Sequence, residues 1–364
     1  MIDPRQNLPE TSLSWRTPRA FTMAETIVAI VTTGFVACVG ATVLGTRGEG
    51  LDAQYKLSQL GQAQACYSSD WDNRQWTALP YDAGVNGATC NWFLNVTCPN
   101  QQLLGRGQNG AYWGYFTGSQ GLCAAHGYPG GCGNWAVYVP IGFDASSTVG
   151  GGAFRMPNMM GIREYTSKNF YAREWFSEDD PSFAGASTQF NSALEFSYPV
   201  SAIPGGYANS SYCFSPAAML HQAVFRPLAE GGFQNPHAFA DCYRAPSVTQ
   251  CAYPSLKTRM CEYGWYRNAP SANLAFSSGR SANPATLFFD GSVQLVLLAD
   301  AEYDDAIARE GSRSGDGLWS RDTPMGTAGF RPTGTVDGLE TGFHILTTGG
   351  TLGRDLLQRK GGVQ

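Results

Sequence analysis

The sequence predicts an α+β protein in which a long N-terminal helix, half membrane-spanning and half amphipathic, packs on a β-rich, loop-rich globular head stapled by disulfides. Three observations carry that expectation. Residues 26–45 form an uncharged apolar run, and helically spaced apolar positions follow it as far as Tyr67. Short apolar segments punctuated by glycine and proline fill the middle of the chain, which holds 44 glycines and 20 prolines. Ten cysteines are present, none of them in a Cys-x-x-Cys pair.

The apolar run comes first in the chain and constrains the most. As helix, residues 26–45 rise about 30 Å, the thickness of a bilayer core. Arg16 and Arg19 precede it, which favours an N-terminus on the cytoplasmic side and places everything beyond residue 45 outside. Gly34, Ala37, Gly40 and Ala41 are small, and small residues let helices approach closely in lipid. A plain signal anchor and a cleaved secretory signal peptide are the competing readings. The run exceeds a signal-peptide core and no small-residue cleavage site follows it. Neither reading accounts for Glu25, one residue before the uncharged span. A carboxylate at the membrane edge is costly unless a positive charge faces it. Past the span, Ala53, Leu57, Leu60, Gln64 and Tyr67 recur at alternating four- and three-residue spacing, which predicts that the helix continues along the head. Gly61 weakens that helix by about 1 kcal/mol without forbidding it.

Charged residues make up 15% of the chain, and 24 Lys+Arg against 29 Asp+Glu give a net charge of -5. With no basic stripe, nucleic acid is excluded as a partner class. The cysteine count points to an oxidising compartment. Cys38 lies in the apolar run and an odd number remain, so at least one has no partner within the chain. Short loops make Cys90 with Cys98, Cys123 with Cys132, and Cys251 with Cys261 candidate pairs, although spacing leaves other connectivities open.

Residues 76–298 read as the head, built of strands and loops in preference to helices. The glycine-rich stretch 105–133 is expected as an exposed, stapled loop, and residues 135–139 as a strand. Residues 285–296 place Asp290-Gly291 between two apolar β-prone runs, the strongest short hairpin signal, with positive φ expected at both turn positions. Residues 299–364 form a C-terminal extension. Asp300 is expected to cap a helix through Glu310 that Gly311 ends. A calcium loop on Asp300, Glu302 and Asp304 is the rival, but Asp305 stands where glycine is needed and Gly311 where a bidentate glutamate is needed. A second helix is expected over residues 352–360. The histidines, His126, His221, His237 and His344, are scattered, and no nucleophile elbow or phosphate-binding loop occurs. No catalytic residue, metal or cofactor is therefore expected. The aromatic residues, 13% of the chain, are read first as core and second as a face for a surface ligand, carbohydrate or protein.

The stretch Arg19-Ala20-Phe21-Thr22-Met23-Ala24-Glu25, with the apolar run behind it, resembles the Gly-Phe-Thr-Leu-x-Glu cleavage and methylation motif of type IV prepilins and type II secretion pseudopilins. Ala20 stands where that family has Gly. Tyr55 to Tyr67 with Asp70 and Asn73 is similar to a segment of a large bacterial prepilin-like group, with Lys56, Ser58 and Asn73 where the group has Asn, Lys and Gly. Residues 280–293 resemble that group's His-x9-Asp-Gly region, with Arg280 at the histidine position. The resemblance implies a pilin-like fold with a leader (1–20), a pilin helix (21–75, of which 26–45 span the membrane), a head (76–298) and the extension (299–364). It implies cleavage between Ala20 and Phe21 by a prepilin peptidase, methylation of Phe21, and pairing of Glu25 with the N-terminal amine of a neighbour. The partners implied are identical subunits in a helical filament and, before assembly, the inner membrane. The location implied is the inner membrane as precursor, then an extracellular filament or the periplasm. The function implied is that of a non-enzymatic filament subunit. A secretion pseudopilin and a non-polymerising membrane-anchored extracellular binding protein are the alternatives.

Overall fold

The structure, a computed structural model, describes residues 51–76, 162–169, 171–180, 182–191, 210–234, 246–262, 282–323 and 342–359, together with the strand backbones at 101–106, 112–117 and 136–138. All belong to one unit of the chain, Gly50–Gln364.

Helix α1 (Leu51–Asp70) turns Ala53, Leu57, Leu60, Ala63, Gln64 and Tyr67 inward. These include every position of the apolar stripe. An isolated helix of this length is marginal in water. Burying Leu57 and Leu60, at 0% and 1% exposure, contributes roughly 1.5–3 kcal/mol each and outweighs the cost of Gly61. That glycine has a packing reason: a Cβ there would lie 3.0 Å from a Leu287 methyl, so its absence lets the helix settle closely on the sheet. The helix ends as Asp72 turns left-handed (φ 51°) and the Asn73 N–H reaches back to the Ser68 carbonyl at 2.8 Å, the bond of a Schellman cap. Asn73 is itself left-handed (φ 59°).

The sheet beneath α1 has four antiparallel strands in the order β4 (Tyr212–Phe214), β5 (Thr258–Glu262), β6 (Ala285–Phe288) and β7 (Val293–Leu295). Strand alternation sorts its residues. Tyr212, Phe214, Met260, Ala285 and Leu287 join α1 and Trp76, Trp175 and Phe176 in the main core. Cys261 and Phe288 pack from the sheet into a second core with Ala282, Val296, Leu298, Ala301, Phe343 and Leu356. A separate three-stranded sheet pairs β1 (Gln101–Arg106) antiparallel to β2 (Tyr112–Thr117), and β2 parallel to β3 (Ala136–Tyr138). The stretch expected as a loop thus holds a strand, because Tyr112, Trp113, Tyr115 and Phe116 supply β-prone aromatics.

On either side of β4 in sequence the described chain runs in short helical turns where strands and loops were expected: α2 (Ser182–Ser187), α3 (Pro216–Met219) and 3-10 turns such as Arg173–Trp175 and Gln222–Val224. Pro216 at the first helical position presets one of these turns. Helix α4 (Leu298–Glu310) begins at Leu297, with Asp300 in its first turn and not at the cap, and it ends at Gly311 as expected. Among the described residues no helix is long and apolar enough to cross a membrane; residues 26–45 lie outside them.

The helix expected over 352–360 is not present as far as residue 359: a 3-10 turn, Gly350–Leu352, gives way to irregular chain. Its backbone donors have tertiary acceptors instead, Asp355 N–H on the Leu256 carbonyl at 2.9 Å and Leu357 N–H on Asp304 at 2.9 Å.

The β6–β7 hairpin turns at Asp290-Gly291. The Gly291 N–H bonds the Phe288 carbonyl at 3.0 Å and the Phe288 N–H bonds the Ser292 carbonyl at 2.9 Å. Only Gly291 has positive φ, at 83°. The turn is therefore type I followed by a left-handed bulge residue, not the two-residue form with both positions positive. Asp290 accepts from the Ser292 N–H at 3.0 Å and from Arg359, whose guanidinium also lies over the Phe288 ring. A Cβ on Gly291 meets nothing within 4 Å, so Gly291→Ala should cost only the left-handed penalty of about 1 kcal/mol, and Gly291→Asn less. Urea unfolding of the two variants checks this ranking, and a larger loss for Asn than for Ala would contradict it.

Candidate functional site

A buried group of chemistry-bearing side chains lies where β5 begins. A helical turn at 253–257, closed by the Lys257 N–H on the Tyr253 carbonyl at 2.9 Å, delivers Lys257 into the interior at 0% exposure. Its ammonium donates to Ser215 Oγ at 3.0 Å, Thr347 Oγ1 at 2.9 Å and Asp355 Oδ2 at 2.9 Å. Asp355 Oδ2 also accepts from the Thr258 N–H at 2.7 Å, and Oδ1 from the Thr347 hydroxyl. The Ser215 hydroxyl donates in turn to the His344 carbonyl.

A serine hydroxyl 3.0 Å from a lysine amine has the spacing of a Ser–Lys nucleophile and base. The proton arrangement here differs. All three lysine donors are spent on acceptors, the serine proton is given to a backbone carbonyl, and Ser215, Lys257, Thr347 and Asp355 are all buried. The geometry is that of a satisfied ion pair tying four segments together. Beside it His344 is buried and left-handed (φ 52°). Burial pushes its imidazole down to about 3, with Lys257 acting in the same direction and Asp355 against it.

A second polar centre lies on α4. Asp305 Oδ1 accepts from the Leu318 and Trp319 N–H groups at 2.7 and 3.3 Å, and the carboxylate meets Arg309 and Arg321 at 3.2 and 3.1 Å. Asp304 holds the Leu357 N–H. The acids considered for calcium thus lie along one helix, with Asp304 and the neighbouring Asp305 turned inward onto the protein's own donors. Among the described residues no group of three or more His, Cys, Asp or Glu is placed to hold a metal ion.

The outward side of α1 is the third feature. Tyr55, Gln62, Ala65, Cys66 and Ser69 are exposed, Tyr55 at 64%, and no charge falls between Lys56 and Asp70. Lys56 is turned inward, bonding Asp52 and the Phe176 carbonyl at 2.7 Å each.

Of the residues nominated from sequence, Asp290 and Gly291 form the hairpin turn described above. Ala20, Phe21, Glu25, Gly34, Ala37, Gly40, Ala41, Cys90, Cys98, Cys123, Cys132 and Arg280 lie outside the described residues. The described cysteines, Cys66, Cys213, Cys251 and Cys261, are free thiols in the structure, so the expected Cys251–Cys261 pair is not joined. Cys251 follows the turn Val248–Gln250, whereas Cys261 is carried into β5 opposite Cys213. The Ser215–Lys257–Thr347–Asp355 group was not nominated, since no local spacing connects its members. No family model, curated protein or solved structure matches the chain.

Removing one member of the ion pair strands the other. Lys257→Met and Asp355→Leu should each destabilise by about 3–5 kcal/mol, and the double variant by clearly less than their sum; additive losses in urea unfolding would contradict the pairing. For His344 the native pKa of about 3 lies below the usual ~6.5. Between those values the unfolded state binds a proton that the native state does not. Stability should therefore fall as pH drops below ~6.5, by up to about 1.4 kcal/mol per unit. Thermal unfolding against pH should show a shallower acid slope in His344→Asn, a residue that tolerates the left-handed backbone.

Proposed function

We propose that this chain is a structural, non-enzymatic subunit of an extracellular type IV pilus-like filament. The observation that carries the reading is the Phe21-to-Glu25 motif set against the uncharged run 26–45. A carboxylate at the edge of an apolar helix needs a counter-charge. The N-terminal amine of a neighbour, made available by cleavage after Ala20, supplies one. Helices then pack around the fibre axis through Gly34, Ala37, Gly40 and Ala41. The protein begins in the inner membrane, meets the prepilin peptidase there, and ends outside the cell.

Three features of the described residues support the reading. Helix α1 lies on one face of an antiparallel sheet, the arrangement that the resemblance implies. Asn73, where the prepilin-like group has Gly, is left-handed (φ 59°), and asparagine is among the residues that replace glycine in that conformation at least cost. The exposed side of α1 is uncharged over residues 57–69, which suits packing against the same helix of a second copy.

The test is made on protein from the source cell. Intact-mass measurement should give a chain beginning at N-methylated Phe21, and Glu25→Leu should leave membrane insertion intact while lowering the yield of sheared surface filaments at least several-fold. A chain retaining Met1, or normal filaments from the Glu25 variant, would refute the proposal. Processed protein without surface fibres would favour the pseudopilin reading.

A further inference from the structure

Cys213 and Cys261 stand directly opposite each other on the antiparallel neighbours β4 and β5. Opposed residues on paired strands project to the same side of the sheet. The Ser215 N–H bonds the Arg259 carbonyl at 3.0 Å, two residues further along the same register. Because antiparallel bonding alternates, Cys213 and Cys261 form a hydrogen-bonded pair, for which the Cα separation is about 5.5 Å. Disulfides span Cα separations of roughly 4.4–6.8 Å, which such a pair meets, and Cβ separations of roughly 3.5–4.5 Å, to which a hydrogen-bonded pair, at the wide end of about 4.5–5.5 Å, closes by a small local shift. Both side chains are buried, at 2% and 3% exposure, and the Cys261 thiol is pushed well up, first by burial and then by the nearby Cys213. The Cys261 thiol also donates to the Glu262 carbonyl at 3.4 Å and lies 3.6 Å from the Thr286 hydroxyl.

We infer that Cys213 and Cys261, free thiols in this structure, are joined on oxidation in a cross-strand disulfide that covalently fastens the edge strand β4 to the body of the sheet. The bond forms as two thiols lose two protons and two electrons to an external disulfide, such as that of a thiol–disulfide oxidoreductase, which departs as a dithiol. Both cysteines are sealed in the finished core, so oxidation precedes closure of the sheet. The staple has a local purpose. Strand β4 is only three residues long (Tyr212–Phe214), it lies at the sheet edge, and Ser215 immediately after it bonds Lys257. This pairing differs from Cys251 with Cys261, the short-loop candidate, because register and not sequence proximity brings the sulfurs together. The inference rests on sheet geometry and does not depend on processing or filament assembly.

The full-length chain in detergent is refolded with glutathione disulfide as oxidant, alkylated under denaturing conditions without reductant, and mapped by mass spectrometry. The expected result is a dominant linked peptide pair containing Cys213 and Cys261, which reductant separates. In Cys213→Ala the pair is lost and Cys261 becomes alkylated, and in Cys261→Ala the reverse occurs. Alkylation of both thiols in the wild-type chain, or a dominant link from either to another cysteine, would overturn the inference whether or not the variants fold.

Discussion

A charge sealed from water without a counter-charge is among the most destabilising things a core can contain, and two of the charges buried in this head answer each other. Lys257 and Asp355 are 0% and 1% exposed at the side chain. The desolvation of each is tolerable only because the other is there and because every remaining donor and acceptor is occupied. That requirement fixes more than two residues. It brings the end of β4 (Ser215), the start of β5 (Thr258), the stretch around Thr347 and the tail at Asp355 to one point, since each supplies a hydrogen bond that the pair needs. A hydrophobic replacement of similar volume would fill the space without specifying which segments meet there.

The second constraint is the closeness of α1 to the sheet. Gly61 admits Leu287, the Gln64 amide reaches Met260 Sδ at 2.7 Å, and the buried Arg259 donates to the Gln64 carbonyl and the Ser68 hydroxyl. Together with the buried Lys56, these contacts make α1 part of the head's interior. Under the proposed function this matters because the segment proposed to enter the fibre is followed directly in sequence by the helix on which the head folds.

How much of this was legible in the sequence depends on the range of the interaction. The stripe from Ala53 to Tyr67 and the turn at Asp290-Gly291 are local patterns with periods of a few residues, and their physical causes act over the same distance. The turn type is not legible locally, because Asp-Gly serves both a two-residue turn and a type I turn with a bulge, and strand register decides between them. The tail reads as helix because its residues are good helix formers; tertiary acceptors at Leu256 and Asp304 took its N–H groups. The polar centre could not be read at all. Its bonds join residues separated in sequence by 42, 90 and 98 positions, and a lone Lys or Asp at such separations is indistinguishable from a surface charge until the fold is known. Cys251 was matched with Cys261 by proximity along the chain, whereas the sheet sets Cys261 against a residue 48 positions earlier.

The way α1 is seated also determines how the head would respond to a pull on its N-terminal end. A helix of 20 residues lies along the sheet for about 30 Å, held at Lys56, Leu57, Leu60, Gln64 and Tyr67 in succession. Tension along its axis would load these contacts together, in shear, so that none need yield before the rest. A strand peeled from an edge breaks one contact at a time, and β7 is such an edge. Among the described elements, resistance to a pull is therefore greater along α1 than at β7.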